Sequence, residues 1–354
     1  MAIDGRELLG QPTGVGRFLA GILAGWETLD AAAAHEFVLC TPGPIAQRIG
    51  SRVSTLVRHG GSGTAWEQLT LPRLVREMDA DVLFAPAYTG PIRCPAPMVV
   101  AIYDVSFAAH PEWFGWRDGL RRRVLTHLAA RHAARVVTTS AFSRSEITRL
   151  FGVDANRVEV IYPGAAPVTP VPHTENLVLF VGSLFTRRHL PALIDGFARL
   201  ARERRDVRLE IVGDNRTTPR VDLERLAAAS GAGERIALRA YLPEEALAAL
   251  YGRARAFVFL SEYEGFGLTP LEALGAGVPI VVLDTAVARE VYGDAALYVP
   301  RPDPALVAAA IERVLFDAAE RTRILEAARR LLPRYSWRAC AERVLTVLTE
   351  CART

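Results

Sequence analysis

Two glutamates, Glu264 and Glu272, stand with seven residues between them, beginning Gly265-Phe266-Gly267-Leu268. Carboxylates so placed can accept hydrogen bonds from the donor groups of a ligand. The two glycines let the backbone between them approach a ligand closely. The run Arg255 to Leu260 is almost wholly apolar, as a strand covered on both faces would be. The pair therefore sits beyond the carboxyl end of a buried strand, where ligands bind in open α/β sheets. Thr269 can cap the helix that follows, with Pro270 as its first residue. Glu272 would then close a capping box, so a helix cap explains it as readily as a ligand does. Glu264 has no such local account: among glycine and aromatics, a carboxylate is costly without a partner.

Other residues could share the chemistry. Gly14-Val15-Gly16-Arg17-Phe18 reads as a loop opening a helix to about Trp26, suited to an anion or simply to a tight turn. Tyr103-Asp104 closes the apolar run Met98 to Ile102, and Asp104 is either a ligand contact or a turn carboxylate. Gly182-Ser183 follows a strand at Leu177 to Val181, and Arg187-Arg188-His189 then leads a helix. The chain has no lysine: all 42 basic residues are arginine. A GC-rich genome accounts for that bias. Its chemical consequence is that phosphate must be held by guanidinium groups, which fork onto two oxygens. Arg117, Arg121, Arg122, Arg123, Arg131 and Arg135 crowd one segment behind Trp113, Phe114 and Trp116, opposed only by Asp118. Such a helix is a solvated face, or a surface for an anionic membrane or a phosphate-bearing acceptor.

The elements that must position these residues alternate along 354 residues, enough for two domains. Half of the residues are hydrophobic and the formal net charge is +3, which suits a globular enzyme and gives no reason to expect nucleic acid. Cys40, Cys94, Cys340 and Cys351 form no metal-ligand spacing and read as incidental thiols of a reducing cytosol. No signal peptide and no apolar run near the length of a membrane helix is apparent. Met1 to Asp4 reads as the tail of a first strand, short enough to suggest a trimmed or late-starting N-terminus. Strands near 36–40, 53–57, 81–84, 97–102, 135–139 and 157–161 alternate with helices near 65–78, 117–133 and 141–151. Pro163 to Pro172 reads as a linker. Strands at 177–181, 207–212, 236–239, 255–260 and 278–283 follow, with a helix at 244–253 after Tyr241-Leu242-Pro243, and helices occupy 303–317, 319–332 and 335–352. The fold class is α/β, with two doubly wound Rossmann-like domains facing across a cleft. Their spans are 1–166 and 167–334, with a final helix at 335–354.

The ordered set resembles the retaining GT-B glycosyltransferases of family 4. Glu264-Gly265-Phe266-Gly267-Leu268 through Glu272 is similar to that family's E-x7-E signature. Gly14 to Phe18, Asp104-Val105-Ser106-Phe107, Pro111 to Phe114, Val181-Gly182-Ser183 through His189, Gly275 to Pro279, Glu290 to Ala296 and Ser336-Trp337 continue the likeness along almost the whole chain. The resemblance implies a nucleotide-sugar co-substrate held mainly by the second domain, no metal, and a last helix, 335–354, that returns to the first domain. By family pattern Glu272 takes the ribose, while Glu264 and the backbone of Phe266 to Leu268 take the donor sugar. Arg188, where the family usually has lysine, neutralises the diphosphate together with Gly182 and Ser183. Backbone near Leu242 faces the base, and Gly14 and Gly16 close on the phosphates. Tyr103 stands where the family often has histidine near the reacting sugar, beside Asp104.

The expected activity is transfer of a hexose to a glycan or polyprenyl-linked acceptor in bacterial surface polysaccharide synthesis. The expected place is the cytoplasm, peripherally on the inner face of the plasma membrane. GDP-mannose is the first donor expected; UDP-glucose or UDP-GlcNAc is the alternative. A hydrolysing sugar-nucleotide epimerase fits the fold but not the paired glutamates. A catalytically silent nucleotide-sugar-binding protein is the rival outside enzymes.

Overall fold

The computed structural model describes residues 1–10, 14–46, 49–61, 63–165, 175–240 and 242–353. Most of the proline-rich linker, including Pro167, Pro170 and Pro172, and also Tyr241, lies outside the described residues. The chain divides into two compact units. The first comprises 1–112, 116–164 and 335–354, and the second 113–115 and 165–334.

The first unit is built on a parallel sheet of β1 (Ala2–Asp4), β2 (Phe37–Thr41), β3 (Val53–Val57), β4 (Leu83–Ala85), β5 (Met98–Ala101), β6 (Arg135–Thr138) and β7 (Val158–Val160). Their order is β3-β2-β1-β4-β5-β6-β7. β1, β4 and β5 are buried throughout, which is why they read as continuous apolar runs rather than alternating ones. The sheet packs against the helices Gly14–Glu27 and Trp337–Ala352 through Ile3, Phe18, Ile22, Trp26, Val344 and Leu348. Trp26 Nε1 donates to the carbonyl of Ala341 at 2.9 Å, so the last helix is fixed by a buried hydrogen bond as well as by packing.

The second unit repeats the scheme with β8 (Leu177–Val181), β9 (Arg208–Val212), β10 (Ile236–Arg239), β11 (Ala254–Phe259), β12 (Ile280–Leu283) and β13 (Ala296–Val299), in the order β10-β9-β8-β11-β12-β13. Every pairing is parallel. Phe180 and Phe259 stack at 5.7 Å between β8 and β11. Both sheets wind outward from an inner pair of strands, β1/β4 in one and β8/β11 in the other. At such a pair the chain direction of winding reverses and leaves a crevice past the strand ends.

Two local expectations are corrected. Gly14 and Gly16 lie within the first turn of the Gly14–Glu27 helix itself, not in a loop before it. The helix after the glutamate loop spans Leu268–Gly275 and is capped by Gly267, with no side-chain cap bond. Thr269 is therefore its second residue and Pro270 its third, and the capping box ending on Glu272 does not form. Proline fits there because first-turn N–H groups have no partner inside the helix.

Candidate active site

In the second unit the crevice lies beyond β8 and β11. Gly182 follows β8 with φ +142°, and a Cβ there would come within 2.5 Å of Arg188 Nη1. Glycine at this position lets the guanidinium lie against the strand end. Arg188 donates from Nη1 to the Ser183 carbonyl at 2.8 Å and from Nε to Glu264 Oε1 at 2.9 Å. Its Nη2 also lies 2.8 Å from Glu264 Oε1. The guanidinium rests over the Phe259 ring, 4.7 Å from its centroid. Ser261 Oγ donates to the same carboxylate oxygen at 2.8 Å. Gly182, Ser183, Arg188 and Glu264 thus form one constellation.

The glutamate loop is clamped by residues that the sequence reading did not assign to the site. Arg187, buried, donates from Nε to the Tyr263 carbonyl at 3.1 Å, and its own carbonyl accepts from the Glu262 amide. Its guanidinium lies 4.2 Å from the Phe185 centroid and 5.9 Å from that of Trp113. Trp113 meets the Tyr263 ring edge-on at 6.2 Å. His189 Nε2 lies 3.1 Å from Glu262 Oε2. The doubled Arg187-Arg188 was a weak signal, since adjacent arginines also occur on exposed helix faces such as Arg121-Arg122-Arg123; it is their burial that requires an anionic group to offset them.

Burial pushes the Glu264 carboxyl up, but the charges of Arg188 and Arg187 and the hydrogen bonds from Ser261 and Arg188 outweigh it. Glu264 is held below the usual carboxylate range and is ionised at neutral pH. Burial draws Arg188 below its ordinary value against the opposing pull of Glu264. A guanidinium keeps its proton regardless, so the pair is ionic. Arg188 spends three of its five N–H groups on Glu264 and Ser183, and two are left for a further anion.

Gly267 has φ +92°, and a Cβ there would stand 2.1 Å from the Tyr292 hydroxyl. That hydroxyl donates to the Gly267 carbonyl at 2.9 Å. Gly265, Phe266, Gly267 and Leu268 run directly into the helix start, so the turn brings backbone amides to the crevice. Glu272 lies one turn further along the helix, where Tyr251 Oη donates to its Oε2 at 3.3 Å. Leu242, half-buried, follows β10 at the same end of the sheet.

The remaining site candidates belong to the first unit. Gly14 is exposed and Gly16 buried. Tyr103 donates its hydroxyl to the Pro86 carbonyl at 2.5 Å and packs edge-on against Phe18 and Tyr88. Burial, with help from Glu7 and Cys340, raises its phenol well above the ordinary value. Asp104 does act as a turn carboxylate: Oδ1 accepts from the Ser106 amide at 2.8 Å, and Oδ2 from Tyr88 Oη at 3.1 Å.

A second charged cluster fills the crevice of the first sheet. Arg6 donates to Asp4, to Glu67 and to the Gly63 carbonyl. Asp4 and Glu67 are buried. Gln68 and Thr89 also donate to Glu67, at 2.8 and 2.6 Å. Burial opposes the charge of Arg6, yet the two carboxylates raise it above its ordinary value. Burial and the neighbouring Asp4 push the Glu7 carboxyl up, against Arg6.

Comparison with known proteins matches both halves of the chain. Residues 14–167 match the Glycosyltransferase Family 4 model, and residues 165–331 match the model of Glycosyl transferases group 1. O-antigen chain mannosyltransferase B of Escherichia coli is 31% identical over 70% of this chain and 68% of its own length. O-antigen chain mannosyltransferase RfbU of Salmonella typhimurium is 25% identical over 61% of this chain and 60% of its own length. Among solved structures, HepE of Anabaena in complex with UDP and glucose superposes with a TM-score of 0.74 at 18% identity. That superposition covers 99% of this chain and 100% of HepE, a likeness of fold.

Proposed function

This chain belongs to the glycosyltransferases, pairing a family 4 first half with a group 1 second half, and on that premise we propose that it moves a hexose from a nucleotide sugar with retention of configuration. The acceptor is a glycan or a polyprenyl-linked sugar of surface polysaccharide synthesis. Mannose from GDP-mannose is the leading donor, supported by the two relatives named as O-antigen chain mannosyltransferases. A UDP-sugar is the second reading, supported by the solved HepE complex with UDP and glucose.

The observation that carries the reading is the ionised Glu264 locked to Arg188 at the β8/β11 crevice, with two guanidinium N–H groups still to offer. In this reading those N–H groups and the Gly182-Ser183 backbone take the diphosphate. Glu264 and the amides of Phe266 to Leu268 take hydroxyls of the donor sugar, and Glu272 takes the ribose. Leu242 lies beside the base. Gly14, Gly16, Tyr103 and Asp104 serve as the first unit's contribution. Loss of the capping box strengthens the ligand role of Glu272, because no helix cap accounts for it.

The reaction breaks the bond between the anomeric carbon and a diphosphate oxygen. The acceptor oxygen bonds to that carbon on the same face, and its proton passes to the departing phosphate oxygen. Arg188 and Arg187 stabilise the anion as it forms, so in this proposal the leaving charge is borne by guanidiniums rather than by a metal. The test offers the purified protein each nucleotide sugar and follows donor hydrolysis. Turnover of GDP-mannose, abolished by Glu264→Ala with nucleotide binding retained, is the expected result. Turnover of a UDP-sugar instead selects the second reading. Nucleotide binding with no turnover of any donor overturns the enzyme and leaves a binding protein.

A further inference from the structure

Of the five large hydrophobic side chains exposed among the described residues, three lie on the Trp116–His132 helix of the first unit: Trp116 at 73%, Leu120 at 55% and Val124 at 46%. They are spaced four residues apart and fall within an arc of about 80° on the helix surface. The helix changes its apolar face along its length. Its later turns bury Thr126, Ala129 and Ala130, whereas its first turns turn apolar side chains outward. Arg123 borders the outward stripe on one side and Arg117 and Arg121 on the other, with Arg131 beyond its end. Asp118 is held by Arg121 at 3.0 Å and by Arg122 at 2.8 Å. Arg117, Arg123 and Arg131 have no carboxylate partner among the described residues. The Arg117 guanidinium lies 5.1 Å from the Trp116 ring centroid, as an aromatic and a cation do when they share an interface.

We propose that the Trp116–His132 helix is a docking surface for an anionic lipid bilayer, with Trp116, Leu120 and Val124 entering the headgroup layer and the flanking arginines on lipid phosphates. A bilayer offers negative charge and hydrocarbon together, and the stripe offers their complements in that arrangement. A soluble polyanion would satisfy the arginines but has no place for Leu120 and Val124. The proposal goes beyond the donor reading and does not depend on which donor is used.

The test sediments the full chain with phosphatidylcholine vesicles, with and without phosphatidylglycerol. Binding is expected to the anionic vesicles and to fall steeply with added salt. Replacing Arg117, Arg123 and Arg131 together by glutamine should weaken it about a hundred-fold, at about five-fold per charge. Trp116→Ser with Leu120→Ser and Val124→Ser should abolish the part that survives high salt. Both triple variants change exposed residues, so unchanged thermal unfolding and donor turnover show them to be folded. Equal binding to neutral vesicles, or no loss in either triple variant, overturns the proposal. So does a wild-type dimer that the serine variant converts to monomer without any vesicle binding, which would make the stripe a contact between copies of this chain.

Discussion

The crevices of the two sheets lie in equivalent places, past the ends of β1/β4 and of β8/β11, and each holds an arginine against carboxylates. The second crevice sets Arg187 and Arg188 against Glu264, and Arg188 has N–H groups to spare. In the first, Arg6 faces Asp4 and Glu67, with Glu7 beside them, and its bonds to the two carboxylates and the Gly63 carbonyl leave little unspent. One arrangement is short of negative charge and can receive an anion. The other is already in excess of it. An arginine–carboxylate pair at a switch point is therefore not by itself a ligand site; the donors and charges left over decide what it can take.

The sharpest way to break this contrast is to remove each arginine. Arg6→Ala leaves two buried carboxylates without a cation and should cost about 3–5 kcal/mol of unfolding free energy, read from denaturant curves. Arg188→Ala leaves Glu264 with Ser261 and the nearby Arg187, so its main expected effect is a fall of about 10²–10³-fold in donor turnover. If Arg6→Ala is as stable as the wild type, or Arg188→Ala turns over donor normally, the contrast fails. Gly267→Ala comes next. It forces a side chain into a left-handed turn and displaces the Tyr292 hydroxyl, at about 1–3 kcal/mol. If the second crevice is the donor site, as proposed, turnover should fall by more than the lost stability explains, and adding Tyr292→Phe should recover part of it.

The smallest effect is in pH dependence. Glu264 has a depressed pKa, so its contribution to stability is present above the ordinary carboxylate value and is lost as pH falls through the depressed one. Glu7 has a raised pKa, so its charge costs stability at neutral pH, and the cost is relieved as pH falls through the raised value. Glu7→Gln should therefore stabilise at neutral pH, by about 0.5 kcal/mol, and lose that advantage in acid. Thermal unfolding across pH reads the difference, and an advantage that persists in acid would remove Glu7 from the account.

What could be read in the sequence is what is local. β8 and β11 announce themselves as apolar runs because parallel strands are covered on both faces, and the twin α/β rhythm follows from those runs. The Glu264 loop is visible because its glycines and carboxylate are neighbours. The helix start was misplaced by two residues, since Thr-Pro is a strong cap signal while the real cap is a left-handed Gly267 whose need arises from Tyr292, a residue distant in sequence. β13 went unseen because Ala296–Val299 is short and half-exposed in its middle. The Arg6–Glu67 bond joins residues 61 apart, and the Tyr103 hydroxyl finds a backbone carbonyl at Pro86. No spacing rule reaches such pairs, because they are chosen by the sheet order rather than by the chain.

The Trp337–Ala352 helix has a consequence for how the protein is made. Val344, Val347 and Leu348 share one core with Ile3 and Phe18, so the first unit is closed by residues translated after the whole of the second. On a ribosome adding about 5–20 residues per second, about 15–60 seconds separate the Gly14–Glu27 helix from the helix it packs on. During that interval the side of the Gly14–Glu27 helix that meets the Trp337–Ala352 helix has no native cover, while 165–334 can complete its own sheet. The unit begun first is thus finished last, and nascent chains stalled before Trp337 are the ones in which holding chaperones would find an open core.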